Sequence, residues 1–194
     1  MADLIDITDL PLSFQTRTDA ARLITAASKM AENYCRRPLS IQVGRVEYHD
    51  GGAWPEIFLQ CTPIVSIDSI TVNGFEITDF VHDSETGRVR RGTGQGSPNF
   101  APWFPEGAGN IVATYTGGYL TIPDDIIQAV VNAVVNMARE FDSDPTMQSE
   151  SFAGQYAYTR ASKDQVTGGR FAVFGRSGLA ILNQYRIPGK HVIG

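Results

Sequence analysis

The stretch IDSITVNGFEI, residues 67–77, decides the fold class of the middle of this chain. Its apolar side chains alternate with polar ones, which is the two-residue period of a β-strand with one buried face. Asn73-Gly74 then interrupts the run, and this dipeptide favours a two-residue hairpin because both positions of the turn need positive φ. We therefore predict an antiparallel hairpin that turns at Asn73-Gly74.

The same period extends outward over residues 41–119. Ile41/Val43 and Val46/Tyr48 alternate in two phases, and the slip at Gly44 indicates a β-bulge. Further short apolar runs lie between glycine, proline and Asn/Asp turns, as in a small antiparallel domain. We predict five to seven strands and a β-domain over 39–119.

Helical periodicity flanks this β-domain on both sides. The first helical segment is 17–38, where Thr16 to Asp19 has the spacing of a capping box and Arg36-Arg37-Pro38 ends the run. The second is 120–142, which begins at Pro123 with acidic residues in its first turn. Before them, residues 1–16 are expected to form an extended N-terminal lead, because Pro11 blocks helix propagation.

The helix within 120–142 has an apolar face wider than one stripe. A single stripe is enough to pack one side of a helix against a core. We therefore expect a neighbouring subunit to cover the remainder. The predicted subunit contacts are Ile127, Val131, Val134, Val135 and Met137.

Residues 92–109 contain five glycines and three prolines, and a connection of this length is usually functional. We predict a loop that contacts a tail protein or a neighbouring subunit. Its contact residues are Phe100, Trp103 and Phe104.

The segment 143–194 has no sustained period until a short helix near Ser177 to Tyr185. Aromatic and arginine residues recur in it, as they do in protein interfaces. We therefore predict an arm that docks onto a partner rather than packing within the chain. Its docking residues are Tyr156, Tyr158, Arg160, Arg170, Phe171, Phe174, Arg176 and Tyr185.

The chain offers no arrangement typical of an enzyme. No Gly-x-Ser-x-Gly elbow accompanies any of the three histidines, and Gly92 to Gly96 lacks the lysine of a phosphate-binding loop. His49-Asp50 and His82-Asp83 are interpreted as solvated strand-end residues rather than metal ligands. We predict no catalytic residue, cofactor or metal, and two buried thiols at Cys35 and Cys61.

The net charge of −5 is unevenly distributed, since acidic residues dominate up to Glu150 and basic residues dominate beyond it. An acidic protein is a poor candidate for dedicated binding of duplex DNA. No run approaches the 20 or so apolar residues that span a membrane, and no leader-like pattern is present. We expect a soluble product that does not bind membranes and is cytosolic when made.

Several motifs, taken in order, resemble the head-tail connector, or adaptor, family of tailed bacteriophages. They are Leu23 to Ala27, Glu32 to Leu39, Pro63 to Ile67 with Asn73-Gly74, Tyr115 to Tyr119, Ile122-Pro123, and Gly178 to Leu182 with Tyr185-Arg186. The resemblance spans about residues 4 to 187.

This resemblance implies an α+β fold with a helical ring-forming core, an inserted antiparallel β-domain and an extended C-terminal arm that ends in a short helix. It implies a non-enzymatic virion protein, usually twelve copies in a ring, between the portal and the tail. The implied partners are the portal protein, a downstream stopper or terminator protein, and DNA in transient, non-specific passage. The implied location is the virion neck, after assembly in the bacterial host cytoplasm.

Two alternatives remain open at this point. A tail-completion or terminator protein is also a ring but binds the tail tube, and it would lack the long second helix and the basic arm. A small ligand-binding or hydrolase domain would use residues 100–104 as a lid, but the sequence offers it no nucleophile or base.

Overall fold

The computed structural model describes residues 3–92, 103–142, 149–152, 156–159 and 169–187. The chain divides into two compact units. Arg37–Thr121 form one, called here the β unit, and Met1–Arg36 with Ile122–Gly194 form the other, called here the helical unit. The β unit is therefore inserted into the sequence of the helical unit.

The described part of the β unit forms two antiparallel sheets. The strands are β1 (Gln42–Gly51), β2 (Glu56–Phe58), β3 (Ile64–Val72), β4 (Phe75–Glu76), β5 (Phe80–His82), β6 (Arg88–Arg91) and β7 (Gly107–Gly117). The larger sheet has the strand order β1-β7-β3-β4 and the smaller β2-β6-β5, so that β1 is an edge strand and β7 a central one.

Both local predictions for this unit are confirmed. Asn73 and Gly74 have φ of 52° and 83°, and Val72 pairs with Phe75 across the turn, as expected of a two-residue hairpin loop. The pairing of β1 with β7 shifts register between Gln42 and Arg45. Gly44 lies in this bulge with φ of 63°, a conformation that favours glycine.

The core of the β unit lies between the inward faces of its strands. Tyr115, Ile70, Ile111 and Val89 are fully buried there. The remaining members of the buried cluster are Ile57, Leu59, Cys61, Ile64, Val72, Phe104 and Ala113. Burial of this many apolar side chains is the main source of stability for a unit of this size.

Among its described residues, the helical unit contains four α-helices and a two-stranded hairpin. They are α1 (Leu12–Gln15), α2 (Ala20–Cys35), α3 (Asp124–Asp142), α4 (Gly175–Gln184), β8 (Ser149–Phe152) and β9 (Tyr156–Thr159). A 3-10 helix, Gly169–Phe174, leads directly into α4. The α+β class, the inserted antiparallel β-domain and the C-terminal short helix are confirmed.

The start of α2 differs from the predicted capping box. Its N-cap residue is Asp19, which makes no side-chain capping bond, because its carboxylate pairs with Arg17 Nε at 2.9 Å. The end agrees with the sequence signal, since Arg36 at the C-cap adopts a left-handed conformation with φ of 61° and stops the helix.

The N-terminal lead is not extended as predicted. Residues Ile7–Asp9 form a 3-10 turn and Leu12–Gln15 form α1. The Asp9 carboxylate accepts the Asp6 backbone N–H at 2.8 Å, so local polar contacts stabilise a turn that apolar periodicity could not reveal. Leu4, Ile5 and Leu10 are buried and attach the lead to its unit.

The helix α4 packs against α3 and α2. Asn136 Nδ2 of α3 donates to the Val173 carbonyl at 2.9 Å, and the Ile187 N–H donates to the Cys35 carbonyl at 3.1 Å. Leu182 is fully buried. No helix among the described residues has the length and hydropathy needed to cross a lipid bilayer.

Candidate interaction surfaces

The edge strand β1 turns its apolar side chains outward. Val43, Val46 and Tyr48 are 80%, 48% and 72% exposed, whereas Glu47, between the last two, is 7% exposed. In an antiparallel sheet with one solvated face, the apolar residues normally face the core. In β1 the apolar side chains therefore face outward, which is the reverse of the arrangement in an ordinary edge strand.

The outward surface continues onto the neighbouring strands. Val46 lies beside Thr114 of β7, and Thr114 lies beside Ser69 of β3. One step along, the row is Tyr48, Val112 and Thr71. These two rows carry no charged side chain, although the chain as a whole has 37 Asp, Glu, Lys and Arg residues. An uncharged, partly apolar sheet surface of this kind is typical of an interface.

The inward positions of β1 form a buried polar cluster around Glu47. Its carboxylate accepts hydrogen bonds from Arg45 Nε at 2.6 Å, the Tyr115 hydroxyl at 2.8 Å and the Gln60 backbone N–H at 3.1 Å. His49 Nε2 is 3.4 Å away. Since a buried carboxylate is costly unless it is paired and hydrogen-bonded, these contacts explain why Glu47 can lie inside.

These contacts also determine the pKa of Glu47. Burial alone would raise it, but the polar contacts from His49, Arg45, the Gln60 amide and Tyr115 outweigh burial and lower the pKa to about 2. Burial, together with the neighbouring carboxylate, raises the pKa of Tyr115. The cluster is therefore a stable ion-pair arrangement at neutral pH, with Tyr115 as a neutral donor.

The structure corrects the interpretation of one histidine. The His49 side chain is only 13% exposed and faces Glu47, so it is not a solvated strand-end residue, whereas His82 is exposed. The described residues contain no group of three His, Cys, Asp or Glu that could hold a metal ion. Cys35 and Cys61 are buried, as predicted.

The arginines of β6 lie on the smaller sheet. Arg91 pairs with Asp79 at 3.0 Å, and Arg88 approaches Glu56 at 4.0 Å. Arg88 and Arg90 flank the buried Val89 and are exposed. They share an outer face with Phe58, which is 56% exposed. The Arg88–Glu56 pair is exposed and contributes little to stability.

The predicted subunit contacts of α3 fall into two groups. Val134 and Val131 are 1% and 8% exposed, which corrects their assignment, because they pack inside their own unit. Ile127, Val135 and Met137 are half-buried and remain partly accessible. These two groups could not be separated from the sequence, because an apolar stripe does not show how much of it packs within the chain's own helical unit.

Three of the predicted docking residues have contacts within the chain. Phe174 is 1% exposed, and Phe171 packs edge to face on Tyr34 with ring centroids 5.2 Å apart. The Tyr185 hydroxyl contacts both carboxylate oxygens of Asp125, at 2.7 and 2.9 Å. This part of the arm belongs to the helical unit, because α3 and α2 supply surfaces that the sequence does not display.

The other predicted docking residues lie on α4, in β9, in the 3-10 helix or outside the described residues. Arg176 is exposed on α4. Tyr156 and Tyr158 lie in β9, and Arg170 lies in the 3-10 helix before α4. Arg160 lies outside the described residues.

The aromatic residues of the predicted contact loop are also divided. Trp103 is 61% exposed, but Phe104 is 1% exposed and its N–H donates to the Trp54 carbonyl at 2.9 Å. Phe104 is thus a core residue of the β unit and not a contact residue. Phe100 lies outside the described residues. Trp54, which sequence reasoning did not single out, is 68% exposed.

Comparison with known proteins identifies a protein family that matches this chain. A family model described as head completion protein matches residues 12–166. No curated protein matches the chain. 

Solved structures of gene transfer agent (GTA) particles are similar to it over 97% of both chains, each with a TM-score of 0.48. They are the neck of a native particle computed with C12 symmetry, at 16% identity, the virion of a native particle, at 14%, and the neck of an empty particle computed with C6 symmetry, at 17%.

The family match covers more than half of the chain, including all of the β unit and both long helices. It confirms the resemblance drawn from the motifs, and with it a structural role in the virion at the junction of head and tail. The chain belongs to the head completion protein family.

Proposed function

We propose that this protein is the subunit of an oligomeric ring in the virion neck, between the portal and the tail, through which DNA passes. One observation carries the proposal: a single copy leaves the apolar side of β1 exposed to water, at Val43, Val46 and Tyr48. A contiguous exposed apolar surface marks a contact with another macromolecule. The half-buried Ile127, Val135 and Met137 of α3 support a second contact.

The ring body consists of the two helical segments, 17–38 and 120–142, and the β-domain over 39–119 is carried by it. In this arrangement α3 faces a neighbouring copy, with twelve copies as the number expected for an adaptor ring. A ring needs two different complementary surfaces on each subunit, and the apolar side of β1 is one of them.

The charge distribution supports the roles of the remaining parts. Acidic residues outnumber basic ones two to one before residue 151, so a channel lined by this part repels DNA and lets it slide. The arm, 143–194, is basic and contacts the portal protein through its arginines, with Arg176 exposed on α4. Phe171, Phe174 and Tyr185 position α4 rather than touch the portal. A stopper or terminator protein binds the opposite side of the ring.

This role requires no catalysis, and we propose that the protein is not an enzyme. Its place is the neck of the virion, reached after assembly in the host cytoplasm. The alternative, a terminator ring on the tail tube, differs in its partner: it would bind tail-tube protein and not portal protein.

The decisive experiment mixes the purified protein with the portal protein of the same phage and examines the mixture by electron microscopy and analytical ultracentrifugation. We expect a ring of this protein attached to the portal. The absence of any ring, with portal or without it, overturns the proposal. A ring that forms only on tail-tube protein favours the terminator alternative.

A further inference from the structure

The strand β1 is an edge that the described structure leaves open. It is ten residues long, pairs with β7 on one side and ends the four-stranded sheet on the other. Proteins usually protect such an edge with charged side chains, proline or a covering element. Here the outward positions are Val43, Val46 and Tyr48, all exposed. The register shifts of β1 lie at its two ends, between Gln42 and Arg45 and between His49 and Gly51. The rest of the edge is a template for another strand.

The hairpin β8–β9 is a sheet of only two strands, to which a further strand can be added. Its two strands form a sheet of their own, with Ser149 opposite Thr159 and Phe152 opposite Tyr156. A two-stranded hairpin is marginal in water unless a third strand or a covering element is added. Since alternate residues share a face, this register places Glu150, Phe152, Tyr156 and Tyr158 at positions of one face.

We propose that the hairpin β8–β9 of one copy adds to the free edge of β1 in the next copy of the ring. The inference rests on the proposed ring and names one of its contacts. The occupant is a second copy because the described residues of each chain hold both an edge strand with apolar outward positions and a two-stranded hairpin, and in the single chain these lie in separate sheets. Such a head-to-tail contact is heterologous, which is the kind that builds rings.

The chemistry of the two strands agrees. Strand addition supplies main-chain hydrogen bonds for affinity, while alternate side chains supply specificity. Val46 and Tyr48 are outward positions of β1, and Phe152, Tyr156 and Tyr158 hold register positions that share one face of the hairpin. Aromatic and β-branched cross-strand pairs are among the favourable ones. The contact brings no like charges together, because Val46 and Tyr48 are uncharged.

The contact is small. Each strand of the hairpin has four residues, about 13 Å of pairing. An interface of this size is weak by itself. Repetition around a ring held on a portal raises the effective concentration and makes it stable. The purified protein is therefore monomeric in dilute solution and associates on its template.

The test uses pairs of cysteines on the portal-bound protein. Val46→Cys is combined with Glu150→Cys in one variant and with Tyr158→Cys in another, because Glu150 and Tyr158 lie opposite each other on the two strands of the hairpin. The native Cys35 and Cys61 are buried. After oxidation and alkylation, a denaturing gel without reductant should show a ladder of dimers, trimers and higher oligomers in at least one variant.

The single variants serve as controls, since each can form at most a covalent dimer. Efficient dimers of Val46→Cys alone would mean that two β1 edges meet each other, which overturns the proposal. An intramolecular disulfide, seen as a monomer that has only the thiols of Cys35 and Cys61 left to alkylate after denaturation, would mean that the chain covers its own edge, which overturns it as well. A ring on the portal without cross-links rejects this contact but leaves the proposed function standing. The absence of a ring rejects both.

A second variant measures the contribution of the edge. Tyr48→Lys places a charge on it, and Leu12→Lys is the matched control, because Leu12 is 81% exposed but lies in the helical unit. We expect Tyr48→Lys to raise the concentration needed for half-maximal ring formation by about tenfold or more, with an unchanged circular dichroism spectrum. Equal behaviour of Tyr48→Lys and Leu12→Lys would contradict the proposal.

Discussion

Strands β1 and β7 are neighbours in one sheet, but β7 turns its apolar side chains toward the core and β1 turns its apolar side chains outward. In β7, Ile111, Ala113 and Tyr115 face the core and are fully buried. In β1, the inward positions hold Arg45, Glu47 and His49, and the apolar side chains face outward. A central strand is packed by its own chain on both sides, whereas an edge strand can be shaped for an external partner. The contrast separates residues that serve folding from residues that serve assembly.

The largest expected effect tests that separation directly. Ile111→Ala in β7 removes a fully buried side chain and should lower the free energy of unfolding by about 2 to 5 kcal/mol. Both tryptophans, Trp54 and Trp103, lie in the β unit, so urea unfolding followed by tryptophan fluorescence reports on this unit.

The matched control is Val46→Ala in β1, half exposed, which should change the free energy of unfolding by less than about 0.5 kcal/mol. A loss as large as that of Ile111→Ala would show that the outward face of β1 is core in the free protein.

The next effect concerns the buried carboxylate. Glu47→Gln removes the charge that Arg45 and His49 face, and it should lower the free energy of unfolding at pH 7 by about 2 to 3 kcal/mol. Because the pKa of Glu47 is lowered to about 2 in the folded protein, its stabilisation is complete above the ordinary pKa of a glutamate, near pH 4.5, and is lost as the pH falls toward 2.

The difference between wild type and Glu47→Gln should therefore shrink as the pH falls from 5 to 3. Urea titrations at a series of pH values measure it. A difference that stays constant over this range would contradict the assigned ion-pair cluster.

A smaller effect tests the link between the two strands. The Tyr115 hydroxyl of β7 donates to Glu47 and accepts the Cys61 backbone N–H at 2.9 Å. Tyr115→Phe leaves both groups buried without this partner and should cost about 1 to 2 kcal/mol. If Glu47 and Tyr115 are coupled, the double variant Glu47→Gln with Tyr115→Phe should lose less free energy of unfolding than the sum of the two single variants. Strictly additive losses would refute the coupling.

The smallest effect concerns the bulge that begins β1. Gly44 has φ of 63°, and a methyl group there would meet no atom within 4 Å. Gly44→Ala should therefore cost only the conformational strain, about 1 kcal/mol. Thermal unfolding measures it. A stabilised variant would mean that the bulge relaxes to a conformation with negative φ.

The sequence predicted the elements better than it predicted their partners. The hairpin at Asn73-Gly74 and the bulge at Gly44 are local events whose backbone angles their own residues favour. The burial of Phe174 is not local, because the aromatic residue follows a stretch without periodicity and is covered by helices distant in sequence. The division of α3 into buried Val134 and accessible Met137 likewise depends on where α4 packs.

The sequence by itself determined the α+β order, with two long amphipathic helices around an antiparallel β-domain, because these elements follow from short-range periodicity and turn chemistry. The order of its motifs also supplied the resemblance to a family. Only the tertiary structure decided which side of β1 is inside. A two-residue period says which residues share a face but not which face is buried. In this sheet Ala113 lies opposite Glu47, and the Tyr115 hydroxyl and the Gln60 amide complete the polar site, so the carboxylate lies inside and the apolar residues face outward.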